Sequence, residues 1–170
     1  MKQPNPSTTA VRVIATGGTF DKHYDPATGV LGFEKTSGLP ALLAQARLDP
    51  AVAFETVMLI DSLDMTDEHR GQIALACRRS PERRIAIIHG TDTMIETAAV
   101  LARESTDATI VLTGAMVPAV VAGSDALFNL GFALACARLL PAGIHIAGHG
   151  RIFDWRTVRK NRAAARFEAI

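Results

Sequence analysis

The chain has 170 residues, 48% of them hydrophobic, with a formal net charge of +1. That is one domain's worth of sequence, with apolar residues enough for a sizeable core. The balance of 18 basic against 17 acidic side chains leaves no global field to favour nucleic acid or an anionic membrane.

Residues 1–10 are polar, carry Pro4 and Pro6, and lack the apolar core of a secretory signal. They are expected to form a flexible tail ahead of a single domain over 11–170, in a cytoplasmic protein. Cys77 and Cys136 show no CxxC spacing and read as small buried hydrophobes in a reducing compartment. The apolar run over 119–140 is broken by Ser124, Asp125, Asn129 and Arg138, which argues against a membrane span.

Residues 11–15 are β-branched and run into Thr16-Gly17-Gly18-Thr19, the pattern of a strand ending in a glycine turn. The segment 20–36 is long for a connection and reads as a functional or mobile loop. Ser37 is a candidate cap for the next helix, whose apolar stripe is Leu39, Leu42, Leu43 and Ala46. A second strand over 53–60 ends at Asp61-Ser62-Leu63-Asp64. Thr66 then caps a helix with Asp67 and Glu68 in its first turn and Ile73, Ala76 and Cys77 on its buried face.

The third strand, 84–88, is nearly continuous apolar, as in a strand covered on both faces. It ends at His89-Gly90-Thr91-Asp92. Thr93 and Glu96 fit a capping box, and Ile95, Ala98, Ala99 and Ala102 form the expected inner stripe of that helix. A fourth strand over 109–112 ends at Thr113-Gly114-Ala115-Met116. The helix expected over 123–140 has two apolar stripes, one of Leu127, Leu130 and Leu134, the other of Phe128, Phe132, Ala135 and Leu139. An amphipathic surface helix needs one, so the second points to deep burial or a homo-oligomer interface. A fifth strand covers 143–148, and the basic tail after it is expected to add no strand.

Five alternations of strand and helix, with no hairpin signal, imply an α/β fold. It is a three-layer, doubly wound, mainly parallel sheet of the Rossmann or flavodoxin kind. All strand ends then lie on one edge, where such folds bind ligands. The threonine-rich turns lack the spacing of a dinucleotide fingerprint and the lysine of a P-loop. The histidines show no zinc spacing, and there is no G-x-S-x-G elbow. No cofactor and no metal are expected.

Ala15-Thr16-Gly17-Gly18-Thr19 and His89-Gly90-Thr91-Asp92-Thr93-Met94 together resemble the signature stretches of the bacterial-type L-asparaginases, the threonine amidohydrolases. Further matches are Asp61-Ser62-x-Asp64-Met65, Thr113-Gly114-Ala115-Met116, Ser124-Asp125 with Phe128-Asn129, and Val158-x-Lys160. The likeness runs from about Val11 to Phe167. It implies an asparaginase N-terminal-type domain without a C-terminal domain, the short-chain form, assembled as a homodimer or homotetramer. The implied reaction is hydrolysis of L-asparagine to L-aspartate and ammonia. A related amidase acting on glutamine or another asparaginyl substrate, and an inactive amino-acid-binding module, are the alternatives.

The resemblance implies Thr16 as nucleophile, Tyr24 in the loop as its activating partner, and a second set of Thr91, Asp92 and Lys160. A threonine hydroxyl is a weak nucleophile without an adjacent base or cation. The implied substrate contacts are Gly17, Asp61, Ser62, Leu63, Gly90, Thr91, Asp92 and Ala115. Ser62 takes the α-carboxylate, Asp92 the α-ammonium, and the backbone around Ala115 the amide. The family usually has glutamine where Leu63 stands, so Asp61 or Asp64 is the expected replacement contact. Thr19 reads as a structural turn hydroxyl and stays outside the catalytic set.

Overall fold

The computed structural model describes residues 10–48, 52–104 and 107–170; the expected N-terminal tail, Ala10 apart, lies outside them. Ten strands and four α-helices follow in order: β1 (Arg12–Gly17), β2 (Lys22–Asp25), β3 (Val30–Phe33), α1 (Leu39–Gln45), β4 (Ala53–Ile60), α2 (Asp67–Arg79), β5 (Arg84–Ile88), α3 (Met94–Arg103), β6 (Thr109–Thr113), α4 (Ala126–Leu139), β7 (Gly143–Gly148), β8 (Arg151–Asp154), β9 (Val158–Asn161) and β10 (Arg166–Ala169).

The central sheet has the order β4-β1-β5-β6-β7-β8. Its first five strands are parallel. Alternation along β5 shows why the sheet is covered on both faces. Ile85 and Ile87 point into a core shared with α2 and α3, through Ile73, Ala98 and Leu101. Ala86 and Ile88 point into the core shared with α1 and α4, through Leu39, Leu130 and Leu134. Each fully buried aliphatic side chain of this kind contributes about 1.5–3 kcal/mol. The doubly wound architecture is therefore the one the sequence implies.

Several local expectations are corrected. The segment after β1 contains an antiparallel hairpin, β2 with β3. The C-terminal stretch adds β8, antiparallel on β7, and the β9–β10 pair. These strands are four residues each, and apart from β3 they mix charged with apolar residues, so they carry little of the long apolar continuity that marks the central ones. The buried face of α3 is Met94, Thr97, Ala98 and Leu101, not the stripe through Ile95, Ala99 and Ala102. Thr93 makes no capping bond; its hydroxyl donates to the Ser62 carbonyl at 2.7 Å. Ser37 Oγ does accept from the Leu39 amide, and Thr66 caps α2 in a box closed by His69.

Helix α4 starts at Ala126, because the Asp125 carboxylate is engaged by the Met116 and Val117 amides. Leu130 and Leu134 are buried, whereas Leu127, Phe128 and Leu139 are exposed on the single chain. Phe128 and Phe132 stack on that outer face. No helix among the described residues is long and apolar enough to cross a membrane.

Candidate active site at the strand ends

The strand order reverses at β1: the chain leaves it for β4 on one side and returns to β5 on the other. Open α/β sheets place ligands at this switch, beyond the carboxyl ends of the strands. Glycines bring the turns there into contact. A Cβ on Gly18, whose φ is +74°, would lie 2.4 Å from the Gly90 backbone. A Cβ on Gly90 would lie 2.4 Å from Ser62 Oγ. One on Gly114 would meet the His89 carbonyl at 2.3 Å and the Thr91 methyl at 3.2 Å. Gly17 packs in the same way on Ile60. The ends of β1, β4, β5 and β6 thus form one contiguous polar floor.

The two threonines of the first turn have opposite fates. Thr16 is fully buried, and its hydroxyl donates to the Ile88 carbonyl at 2.8 Å, pinning β1 to β5. This corrects the assignment of Thr16 as nucleophile: no substrate reaches it in this arrangement. Thr19 opens the short 3-10 turn Thr19–Asp21 and is half-buried. Its hydroxyl makes no hydrogen bond among the described residues. The glycine pair between them, both at positive φ, separates a threonine bonded into the sheet from one whose hydroxyl is unengaged. Thr91, which follows Gly90 at the end of β5, is buried at 5% exposure. Its hydroxyl has only a weak sulfur acceptor among the described residues, Met116 Sδ at 3.8 Å.

Two ion clusters flank the floor. Asp61 accepts from Lys22 Nζ at 2.5 Å and from the Leu63 amide at 3.0 Å. Burial pushes its carboxyl up, but Lys22, the Leu63 amide and the charge of Lys160 outweigh this and hold it below the usual carboxylate range. Asp92 accepts from Lys160 Nζ at 2.8 Å on one oxygen and from Arg162 Nε at 2.9 Å on the other. Burial again pushes upward, and Lys160 and then Arg162 win, so Asp92 also stays ionised well into acid. The β9–β10 pair thereby delivers Lys160 to the residue that follows Thr91.

Ser62 is buried, and its Oγ has no hydrogen-bond partner among the described residues. Ala115 is also buried. Leu63 is 63% exposed, so it lines the mouth rather than replacing a hydrogen bond. Asp61 does not replace it freely either, being taken up by Lys22. Tyr24 is 61% exposed on β2 and, among the described residues, makes no side-chain hydrogen bond to the floor. It shares a strand face with Lys22, two residues back. His89 is fully buried between the Gly90 carbonyl at 2.7 Å and Thr97 Oγ1 at 2.8 Å. Burial lowers its pKa to about 4, with the Arg70 charge adding to this and the Gly90 carbonyl opposing it. It is a neutral structural imidazole, donating from Nδ1 and accepting at Nε2.

The structure therefore gathers Gly17, Gly90, Thr91, Asp92, Lys160, Asp61 and Ser62 at one edge, seals Thr16 beneath it, and leaves Tyr24 outside. Lys22 and Arg162 belong to the edge and were not singled out from the sequence, and Thr19 was read there as a structural turn hydroxyl. Arg162 had a readable signal, its i+2 spacing from Lys160, which puts both on one side of an extended segment. No group of three or more histidine, cysteine, aspartate or glutamate side chains suited to a metal occurs among the described residues.

Comparison with known proteins gives this site a context. One subunit of the glutamyl-tRNA(Gln) amidotransferase of Thermofilum pendens is 32% identical over 161 residues, covering 89% of this chain and 35% of the relative. Its counterpart in Pyrococcus furiosus is 30% identical over 162 residues, covering 89% and 36%. The chain thus spans about a third of the length of these curated relatives. The thermostable L-asparaginase from Thermococcus kodakarensis superposes with a TM-score of 0.82 at 28% identity, over 95% of this chain and 51% of that one. A probable cytoplasmic L-asparaginase from Campylobacter jejuni gives a TM-score of 0.78 at 28% identity, over 94% and 52%. Residues 10–170 match the family described as "Asparaginase, N-terminal", and the chain belongs to that family.

Proposed function

We propose that this edge hydrolyses a side-chain amide, with L-asparagine as substrate and L-aspartate and ammonia as products, and that Thr19 is the attacking hydroxyl. The observation that carries the reading is the pair of weakly engaged threonine hydroxyls, half-buried Thr19 and buried Thr91, flanking the switch point beside the Lys160–Asp92 ion pair. Thr19 Oγ1 adds to the amide carbon. The tetrahedral oxyanion is held by backbone N–H groups of the glycine turns, which sit at fixed positions and need no reorganisation. The C–N bond breaks and the nitrogen leaves as ammonia, carrying the proton that Thr19 gave up; water then adds to the Thr19 ester, the Oγ1–C bond breaks, one water proton returns to Thr19, and the acid is released. Thr91 and Lys160 form the proton-handling pair, because an ammonium lowers the cost of removing a proton from a nearby hydroxyl or its bound water.

Ser62 supports the same reading. A buried hydroxyl with no partner gains a hydrogen bond when a ligand carboxylate reaches it. Tyr24 enters the proposal as a residue of the hairpin that closes toward the edge when substrate binds, since its strand face is the one that Lys22 anchors to Asp61. The exposed face of α4 around Phe128 supports a homodimer or homotetramer. A second reading, a related amidase acting on glutamine or on an asparaginyl group of a larger molecule, is favoured by Leu63 at the mouth and by the names of the curated relatives.

Ammonia release separates these readings. The folded protein is expected to release ammonia from L-asparagine in steady state. Turnover of glutamine or an asparaginyl peptide with none of L-asparagine would move the assignment to the second reading. Calorimetric binding of aspartate with no turnover of any amide would make the chain a binding module.

A further inference from the structure

Asp61 and Asp92, at the ends of β4 and β5, are each already occupied by cations, while Asp64 in the turn after β4 is exposed. Asp61 holds Lys22. Asp92 holds Lys160 at 2.8 Å and Arg162, which places Nε and Nη2 on the same oxygen at 2.9 and 2.8 Å. A free amino acid brings an α-ammonium, which needs a carboxylate oxygen. The second oxygen of Asp92 is the one an ammonium would use once Lys160 has taken the first, and Arg162 sits on it. Arg162 is not part of the hydrolytic machinery. Its side chain is 72% exposed, while Asp92 is 22% exposed, so it closes over the carboxylate from the solvent side.

We infer that Arg162 sets the charge class of the substrate, holding the Asp92 oxygen that an α-ammonium requires and so favouring side-chain amides whose α-nitrogen is absent or uncharged. This rests on the hydrolytic reading and narrows it: L-asparagine is turned over, and amides without a charged α-nitrogen are bound at least as tightly. Arg162 acts as a specificity residue: it competes with one substituent of the substrate and touches none of the reacting atoms.

The test compares L-asparagine with succinamate, which has the same amide and carboxylate and no α-nitrogen, on the full chain and on Arg162→Gln. In the parent, KM for succinamate is expected to be no higher than for L-asparagine. Arg162→Gln is expected to lower KM for L-asparagine about fivefold, the scale of one exposed charge contact, with kcat for both amides unchanged. Its effect on KM for succinamate stays under about twofold by the same scale. Equal shifts for both substrates, or no shift for either, overturn the inference while turnover itself upholds the hydrolytic reading. A folded parent that turns over neither amide overturns that reading and this inference with it.

Discussion

Thr19→Val is expected to abolish ammonia release while leaving the fold intact, whereas Thr16→Val is expected to keep most of the activity of the folded fraction and lose stability. The two threonines lie in one four-residue turn, so composition and spacing treat them alike. Their surroundings do not. Thr19 is half-buried, and its hydroxyl makes no hydrogen bond among the described residues. Removing it deletes the proposed nucleophile, and loss of a nucleophile costs several orders of magnitude in kcat. Thr16 is buried and bonds the Ile88 carbonyl. Valine there is near-isosteric but strands a buried carbonyl, which costs about 1–3 kcal/mol. Chemical denaturation of both variants, read beside kcat per folded molecule, separates the effects. Full activity in Thr19→Val, or a folded but inactive Thr16→Val, would reverse the assignment.

Gly18→Ala is expected to destabilise the protein severely, on a par with Gly17→Ala. Its φ of +74° disfavours any side chain, and the new Cβ would sit 2.4 Å from both the Cα and the nitrogen of Gly90. Backbone atoms cannot swing aside as a flexible side chain can. Strained φ and overpacking together cost roughly 3–5 kcal/mol, a large share of a domain's stability. The contact also spaces β1 from β5, so the residual folded fraction is expected to have a displaced Thr19 and reduced kcat. Gly131 in α4 supplies the control, since a Cβ there meets nothing within 4 Å among the described residues. Gly131→Ala is expected to raise stability by about 0.5–1 kcal/mol, as alanine replaces glycine inside a helix. A Gly18→Ala melting curve matching the parent's would show that the turns pack less closely than this contact requires.

The parts of the fold that were legible are those where local sequence and burial say the same thing. β5 is apolar at each of Ile85, Ala86, Ile87 and Ile88, and it lies between two cores as such a run must. The glycine turns that end the strands are likewise visible, because only glycine tolerates those approaches. The β2–β3 hairpin was not legible. Lys22-His23-Tyr24-Asp25 has neither an apolar face nor a two-residue turn signal, and its placement depends on Lys22 reaching Asp61 across the fold. The inner stripe of α3 slipped by one residue because Thr97 is buried only through its bond to His89, a tertiary fact that hydrophobicity does not encode.

The site was legible as a set of residues and less so as a set of roles. In the second motif Lys160 stands 2.8 Å from Asp92, the residue after Thr91. The first motif was misread. Which of its threonines is sealed into the sheet depends on the positive φ values of Gly17 and Gly18, and these appear only once the turn is packed against Ile60 and Gly90. Arg162 was passed over because a basic run reads by default as a solvated face. Its partner lies 70 positions away in the chain.

A crystal structure with L-aspartate bound bears most directly on the choice of nucleophile. The side-chain carboxylate of the product marks where the amide carbon sits during attack. That carboxylate is expected within about 3.5 Å of Thr19 Oγ1, the reach of an attacking atom, with the ligand's α-carboxylate on Ser62 and Thr16 still bonded to Ile88. Aspartate bound with its side chain against Thr16, or away from the ends of β1 and β5, would overturn the assignment of Thr19.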